Sequence, residues 1–143
     1  MMATESYEYS PLPDSSDYMR LLDFLIAAIS ADDMIECSLT VWRIEDVPPY
    51  VATSYTWGSP EFLETILLND KLMTIRKHCA DVLRQIRNVP KLEYFWIDAV
   101  CVDQENVAEK NDQVALMGMI YESADGMLAC VGTEDDGAEF AVE

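Results

Sequence analysis

Residues Tyr94 to Gln104 read YFWIDAVCVDQ, and the fold turns on how this stretch is read. Phe95, Trp96 and Ile97 open it as a core strand, predicted over residues 94–100. Asp98 then stands among apolar neighbours, and a polar turn with Cys101, Asp103 and Gln104 closes it. An unpartnered buried charge costs several kcal/mol or shifts its pKa until it is neutral. Asp98 is therefore expected to have a definite partner, in Ser54, Thr56, turn N–H groups or Arg76.

Downstream, the spacing predicts a helix over roughly Glu105 to Ala124. Its later half is amphipathic (Val114, Met117, Ile120, Tyr121), and Gly118 inside it suggests a close backbone contact. Met127 to Val131 follows as a short strand, and TEDDGAEFAVE reads as an acidic tail. Upstream, Cys79, Val82, Leu83 and Ile86 share one face of a helix that ends near Pro90. Before it, Asn69-Asp70-Lys71 joins two short β segments, because Asn and Asp tolerate the left-handed conformations of tight turns. Tyr50 to Trp57 and Ile35 to Ile44 are two more strands, stopped by Gly58-Ser59-Pro60 and Pro48-Pro49. From Ser16, SSDYMRLLDFLIAAISADD predicts a capped helix whose apolar face is Leu21, Leu22, Leu25, Ile26 and Ile29.

Alternation of strand and helix implies right-handed crossovers. The expected architecture is α/β: a mainly parallel sheet flanked by helices, with a β-hairpin insertion and an N-terminal helix. The chain divides into a leader and helix over 1–34, an α/β domain over 35–133 and a tail over 134–143. Ligands collect outside the carboxyl ends of parallel strands. Trp57-Gly58, Cys101 to Glu105 and Gly132-Thr133 reach that edge.

The chain has 143 residues, half of them hydrophobic, enough for one domain with a real core. A formal net charge of −18 argues against nucleic acid and anionic membranes as partners. Six of the nine basic residues lie between Lys71 and Lys91. That run complements the acidic ends of the chain, or offers an anionic ligand favourable potential. No apolar run is long enough to span a bilayer, and MMATESYEYSPLP lacks the features of a secretory signal. Cys37, Cys79, Cys101 and Cys130 are accordingly expected to be reduced thiols in the cytoplasm. Without CxxC spacing, and with His78 the lone histidine, no metal site is expected.

Three co-linear strings carry a resemblance: YVATSYTWG (50–58), FWIDAVCVDQ (95–104) and EKNDQVALMGMIYESADGMLACVG (109–132). They resemble the three blocks of the fungal heterokaryon-incompatibility (HET) domain, in the same order and spacing. The likeness covers about Pro48 to Gly132. Two departures stand out: Thr53 where the family has a bulky aliphatic, and Glu109-Lys110 where it has Glu-Arg. Lysine lacks the bidentate fork of arginine. Family members usually continue into long C-terminal regions, so the chain reads as a short form or a fragment. The resemblance implies a role in nonself recognition and programmed cell death, through self-association or protein partners. It also implies a likeness to Toll/interleukin-receptor (TIR) domains, and a TIR/flavodoxin-like core. Some TIR domains assemble, and some cleave NAD with a glutamate, so NAD is a candidate substrate and no other cofactor is expected.

Several residues carry two readings. Asp98 is a brace for its junction, or an acid/base. Glu105, Glu109 and Gln113 recur on one helical stripe, either solvated or at the ligand edge, where Glu109 is the candidate catalytic carboxylate. Trp57, with Gly58 allowing backbone approach, stacks on a planar ligand or plugs the core. Cys101 is a nucleophile only with a base nearby, and otherwise a buried thiol. Tyr55, Gln104 and Arg76 complete the candidate ligand-binding set.

Overall fold

In a computed structural model of the protein, the described residues are 5–24, 35–55, 60–87, 93–133 and 137–142, with backbone alone for Tyr55 and from 129 onward. The strands are β1 (Tyr18–Phe24), β2 (Glu36–Arg43), β3 (Val51–Tyr55), β4 (Leu63–Leu68), β5 (Lys71–Arg76), β6 (Phe95–Trp96), β7 (Gly126–Thr133) and β8 (Gly137–Val142). The helices are α1 (Lys77–Arg87), α2 (Asp98–Cys101) and α3 (Val107–Ser123). One eight-stranded sheet runs in the order β5-β4-β2-β1-β6-β3-β7-β8. The protein is α/β, but its sheet is mixed. Parallel pairing joins β2 to β4 and β3 to both β6 and β7, while the remaining neighbours are antiparallel. The antiparallel pairs are β1 with β2 and β6, β4 with β5, and β7 with β8; of these the sequence announces the β4–β5 hairpin.

The largest departure from expectation is at the N-terminus. Tyr18–Phe24 is a strand, not the first turns of a helix, and it lies inside the sheet between β2 and β6. Met19, Arg20, Leu21 and Leu22 are all buried in succession. A strand covered on both faces gives a continuous apolar run rather than alternation, and such a run also satisfies helical spacing. Full-length pairing with β2, from Tyr18↔Arg43 to Phe24↔Cys37, decides the matter. Leu25, Ile26 and Ile29 of the expected helix lie outside the described residues.

Three further expectations are corrected. The strand predicted over 94–100 is only Phe95–Trp96, and the chain then turns into α2. The hairpin is no insertion: Glu36↔Leu67 and Cys37↔Leu68 join it to the sheet. The expected acidic tail supplies β8, paired with β7 from Thr133↔Gly137 onward.

The hairpin turn itself forms as its residues require. Asn69 and Asp70 both take positive φ, 51° and 65°, the conformation that two-residue hairpin turns need. The Asn69 amide also accepts from Leu39 N–H at 2.8 Å and donates to Leu39 C=O at 3.2 Å, extending the contact between β4 and β2.

α1 buries Cys79, Ala80, Val82, Leu83 and Ile86, the face its periodicity predicts. On α3, Ile120 is buried and Tyr50 donates its hydroxyl to the Ile120 carbonyl at 2.5 Å. Trp96 meets Tyr121 edge-to-face. Gly118 is exposed, and an added Cβ there meets nothing within 4 Å, so no close contact explains it. Among the described residues no helix is long and apolar enough to cross a membrane.

Candidate functional site

The turn that leaves β6 is held by its own side chains. Gln104 Nε2 donates to the Asp98 carbonyl at 2.9 Å and the Val102 carbonyl at 3.3 Å. Asp103 Oδ1 accepts from Glu105 N–H at 3.1 Å. Asn106 caps α3 by accepting from Glu109 N–H at 3.1 Å, satisfying one donor that every helix start leaves open. These polar residues are therefore where they are because a two-residue strand must pass into two helices within a few residues.

Beneath this turn lies a buried ion pair. Arg20 Nη1 donates to Glu109 Oε2 at 2.6 Å, and Nη2 to Oε1 at 2.9 Å. The side chains are 2 % exposed on either side of the pair. The guanidinium also donates to the Cys101 carbonyl at 3.2 Å and the Ser10 carbonyl at 2.8 Å. Tyr9 covers it, with the Arg20 Cζ 4.9 Å from the ring centroid. Glu109 Oε2 in turn accepts from Asp103 N–H at 2.8 Å. Burial pulls the Arg20 pKa down, but the Glu109 carboxylate outweighs it and leaves it raised.

One turn further along α3, Gln113 donates to the carbonyls of Ser15 and Tyr18, both at 2.8 Å. The stripe at i and i+4 thus points inward at Glu109 and Gln113, while Glu105 ahead of the helix is exposed. Its role here is to tie the N-terminal segment, β1, the exit turn and α3 into one junction.

Above the junction opens a cleft of about 670 Å³, a size suited to small ligands or a peptide side chain. Tyr7 and Tyr9 form one wall and β5 the other, with Cys79 of α1 and Ala99 of α2 between them. Its charged lining is Glu8, Asp103 and Glu105 against Arg76.

The candidate residues separate accordingly. Arg76 and Gln104 line the cleft together. Asp98 is half-buried at the first position of α2, rather than enclosed in a strand, and does not line the cleft. Cys101 is fully buried, and burial pushes its thiol up to about 12, the opposite of an activated nucleophile. Glu109 is buried and does not line the cleft. Trp57 and Gly58 lie outside the described residues, and Tyr55 is placed by its backbone at the carboxyl end of β3.

Sequence reasoning missed Arg20. The signal was present: an arginine between Met19 and Leu21-Leu22 is a charge in an apolar run, as Asp98 is. Reading the segment as a helix allowed Arg20 to face solvent. Only a strand in the middle of the sheet forces it inward.

Residues 50–143 match the family described as Heterokaryon incompatibility protein (HET). The chain is also similar to "Heterokaryon incompatibility protein 6, OR allele" of Neurospora crassa, 33 % identical over 144 residues and 92 % of this chain. The chain spans 21 % of that relative's length. No solved structure matches. The family match takes in β3, the β4–β5 hairpin, α1, the exit turn with Asp103 and Gln104, and the Glu109 helix. This chain belongs to the heterokaryon incompatibility (HET) family.

Proposed function

We propose that this chain is a HET signalling module in fungal nonself recognition, promoting programmed cell death by self-association or by binding a protein partner. The observation that carries the non-enzymatic reading is the Arg20–Glu109 pair. A glutamate acting on a substrate must present a free oxygen to it. Both Glu109 oxygens are instead engaged by Arg20, and one also by Asp103 N–H. The cleft lining, with three carboxylates to one guanidinium, further disfavours a pyrophosphate. The buried thiols Cys37 and Cys101 support a reducing, cytoplasmic setting. Adjacent parallel strands β6, β3 and β7 support a TIR/flavodoxin-like relationship at the level of that half of the sheet.

A second reading, hydrolysis of NAD, is supported by the cleft itself: its volume suits a nucleoside, with tyrosines to stack on and Glu105 exposed beside it. Two assays decide between them. Inducible expression in a fungal recipient, scored with a vital dye, is expected to kill fused cells. The purified protein incubated with NAD is expected to release no nicotinamide. Release that Glu105→Ala, Glu109→Ala or Asp98→Ala abolishes at unchanged thermal stability overturns the module reading in favour of the enzyme. Absence of cell death with a folded protein also counts against the module.

A further inference from the structure

β5 is the last strand of the sheet on its side, and its outer edge is only partly covered. Residues 5–9 form a strap that pairs with it in parallel at one point, Ser6↔Leu72. There Tyr7 N–H donates to the Leu72 carbonyl at 2.7 Å, and Leu72 N–H to the Glu5 carbonyl at 2.8 Å. Lys71 and Glu5 form an ion pair beside this contact. The strap then leaves β5 for α2, where the Tyr9 hydroxyl donates to the Val100 carbonyl at 2.6 Å. The cleft is the gap between the departing strap and the strand.

In an antiparallel pair, the N–H and C=O of one residue face the same side, and alternate residues face opposite sides. Leu72 turns its pair outward to the strap, so Thr74, two residues on and opposite Thr65 of β4, also turns its pair outward. Thr74 is exposed, and among the described residues its outward N–H and C=O have no backbone partner. An open edge of this kind is a template for an added strand. Its surroundings say what strand. Glu8 and Glu105 are exposed and Asp103 half-buried around the same cleft, three carboxylates against the one guanidinium of Arg76, and the chain as a whole carries −18.

We propose that this cleft docks an extended, lysine- or arginine-bearing segment of a protein partner, which adds to β5 at Thr74 and meets Glu8, Asp103 and Glu105 with its basic side chains. Backbone bonds to the edge supply affinity, and the carboxylates select the charge. A second copy of this chain is a poorer occupant, since two bodies of the same large negative charge repel. The inference rests on the partner-binding form of the module reading.

The test uses fluorescence polarisation of a short labelled peptide alternating lysine and valine, with the full chain. Binding is expected, weakening with added salt, while the glutamate–valine counterpart does not bind. N-methylation of the peptide's backbone amides is expected to weaken binding by about tenfold or more through lost edge bonds. The charge-reversing pair Glu8→Lys and Glu105→Lys, both at exposed positions, is expected to do the same. Thr74→Pro removes the outward N–H; should it not fold, the N-methylated peptide makes the same test on the unaltered protein. Equal binding of methylated and unmethylated peptides, or none of the lysine peptide, overturns the proposal. So does light scattering that shows self-association lost in the Glu8→Lys, Glu105→Lys variant, which assigns the edge to a second copy. Cell death scored in the fungal recipient stays a separate readout: death without peptide binding removes this docking site and leaves the module, and its absence removes the module.

Discussion

Replacing Glu109 by alanine should be among the most damaging single changes in this protein. The substitution deletes both carboxylate acceptors of the Arg20 guanidinium, which stays enclosed by Tyr9, Ser10 and Cys101. It also deletes the acceptor of Asp103 N–H at the turn into α3. Removing one partner of a buried pair costs about 3–5 kcal/mol, because the other charge is left without compensation. For a domain of this size that corresponds to a fall in Tm of about 10–20 °C. Urea and thermal unfolding of Glu109→Met, Arg20→Met and the double variant Arg20→Met, Glu109→Met supply the cycle, with Glu109→Ala measured beside them. The double variant should lie well above Glu109→Ala, since it buries no charge and apolar replacements of buried pairs are often neutral. A Glu109→Ala protein within about 1 kcal/mol of the parent, or strictly additive single changes, would refute the brace.

Other outcomes follow from single buried or exposed atoms. Thr53 is fully buried and its hydroxyl has no hydrogen-bond partner, so Thr53→Val, of nearly the same shape, should raise stability by about 1 kcal/mol in denaturant unfolding. Gly118→Ala should add about 1 kcal/mol in the same measurement, because the position is helical, exposed and open; a loss there would reveal a contact made in an assembly. Stability should also decline with alkaline pH. Burial raises the Cys37 and Cys101 thiols to about 12, whereas an unfolded thiol titrates near about 8.5. The native protein thus keeps protons that the unfolded chain releases. The contribution is whole below about pH 8.5 and is lost as pH rises through about 12, by up to about 1.4 kcal/mol per pH unit for each thiol. Denaturant midpoints at about pH 8 and about pH 10 check it, and equal midpoints would refute it.

Local chemistry is what the sequence could reveal unaided. Asn69-Asp70 turns because few other residues accept positive φ in succession. α1 is legible because one of its faces is solvated, so apolar residues recur at helical spacing. The three blocks that mark the family lie in β3, the β6 exit turn, and α3 with β7, and they could be quoted before any fold was known. Tertiary structure alone decided the rest. YMRLLDF is buried on both faces, so it carries no alternation to separate strand from helix, and only pairing with β2 and β6 settles it. Once Tyr18–Phe24 is a central strand, Arg20 must point into the interior, and Glu109, 89 residues away, becomes its counter-ion. An ion pair across such a separation leaves no local pattern, because neither residue's neighbours know the other exists. The stretch YFWIDAVCVDQ shows both limits: its apolar opening announced a core strand, while the turn into α2 came from packing, which left Asp98 half-buried at a helix start.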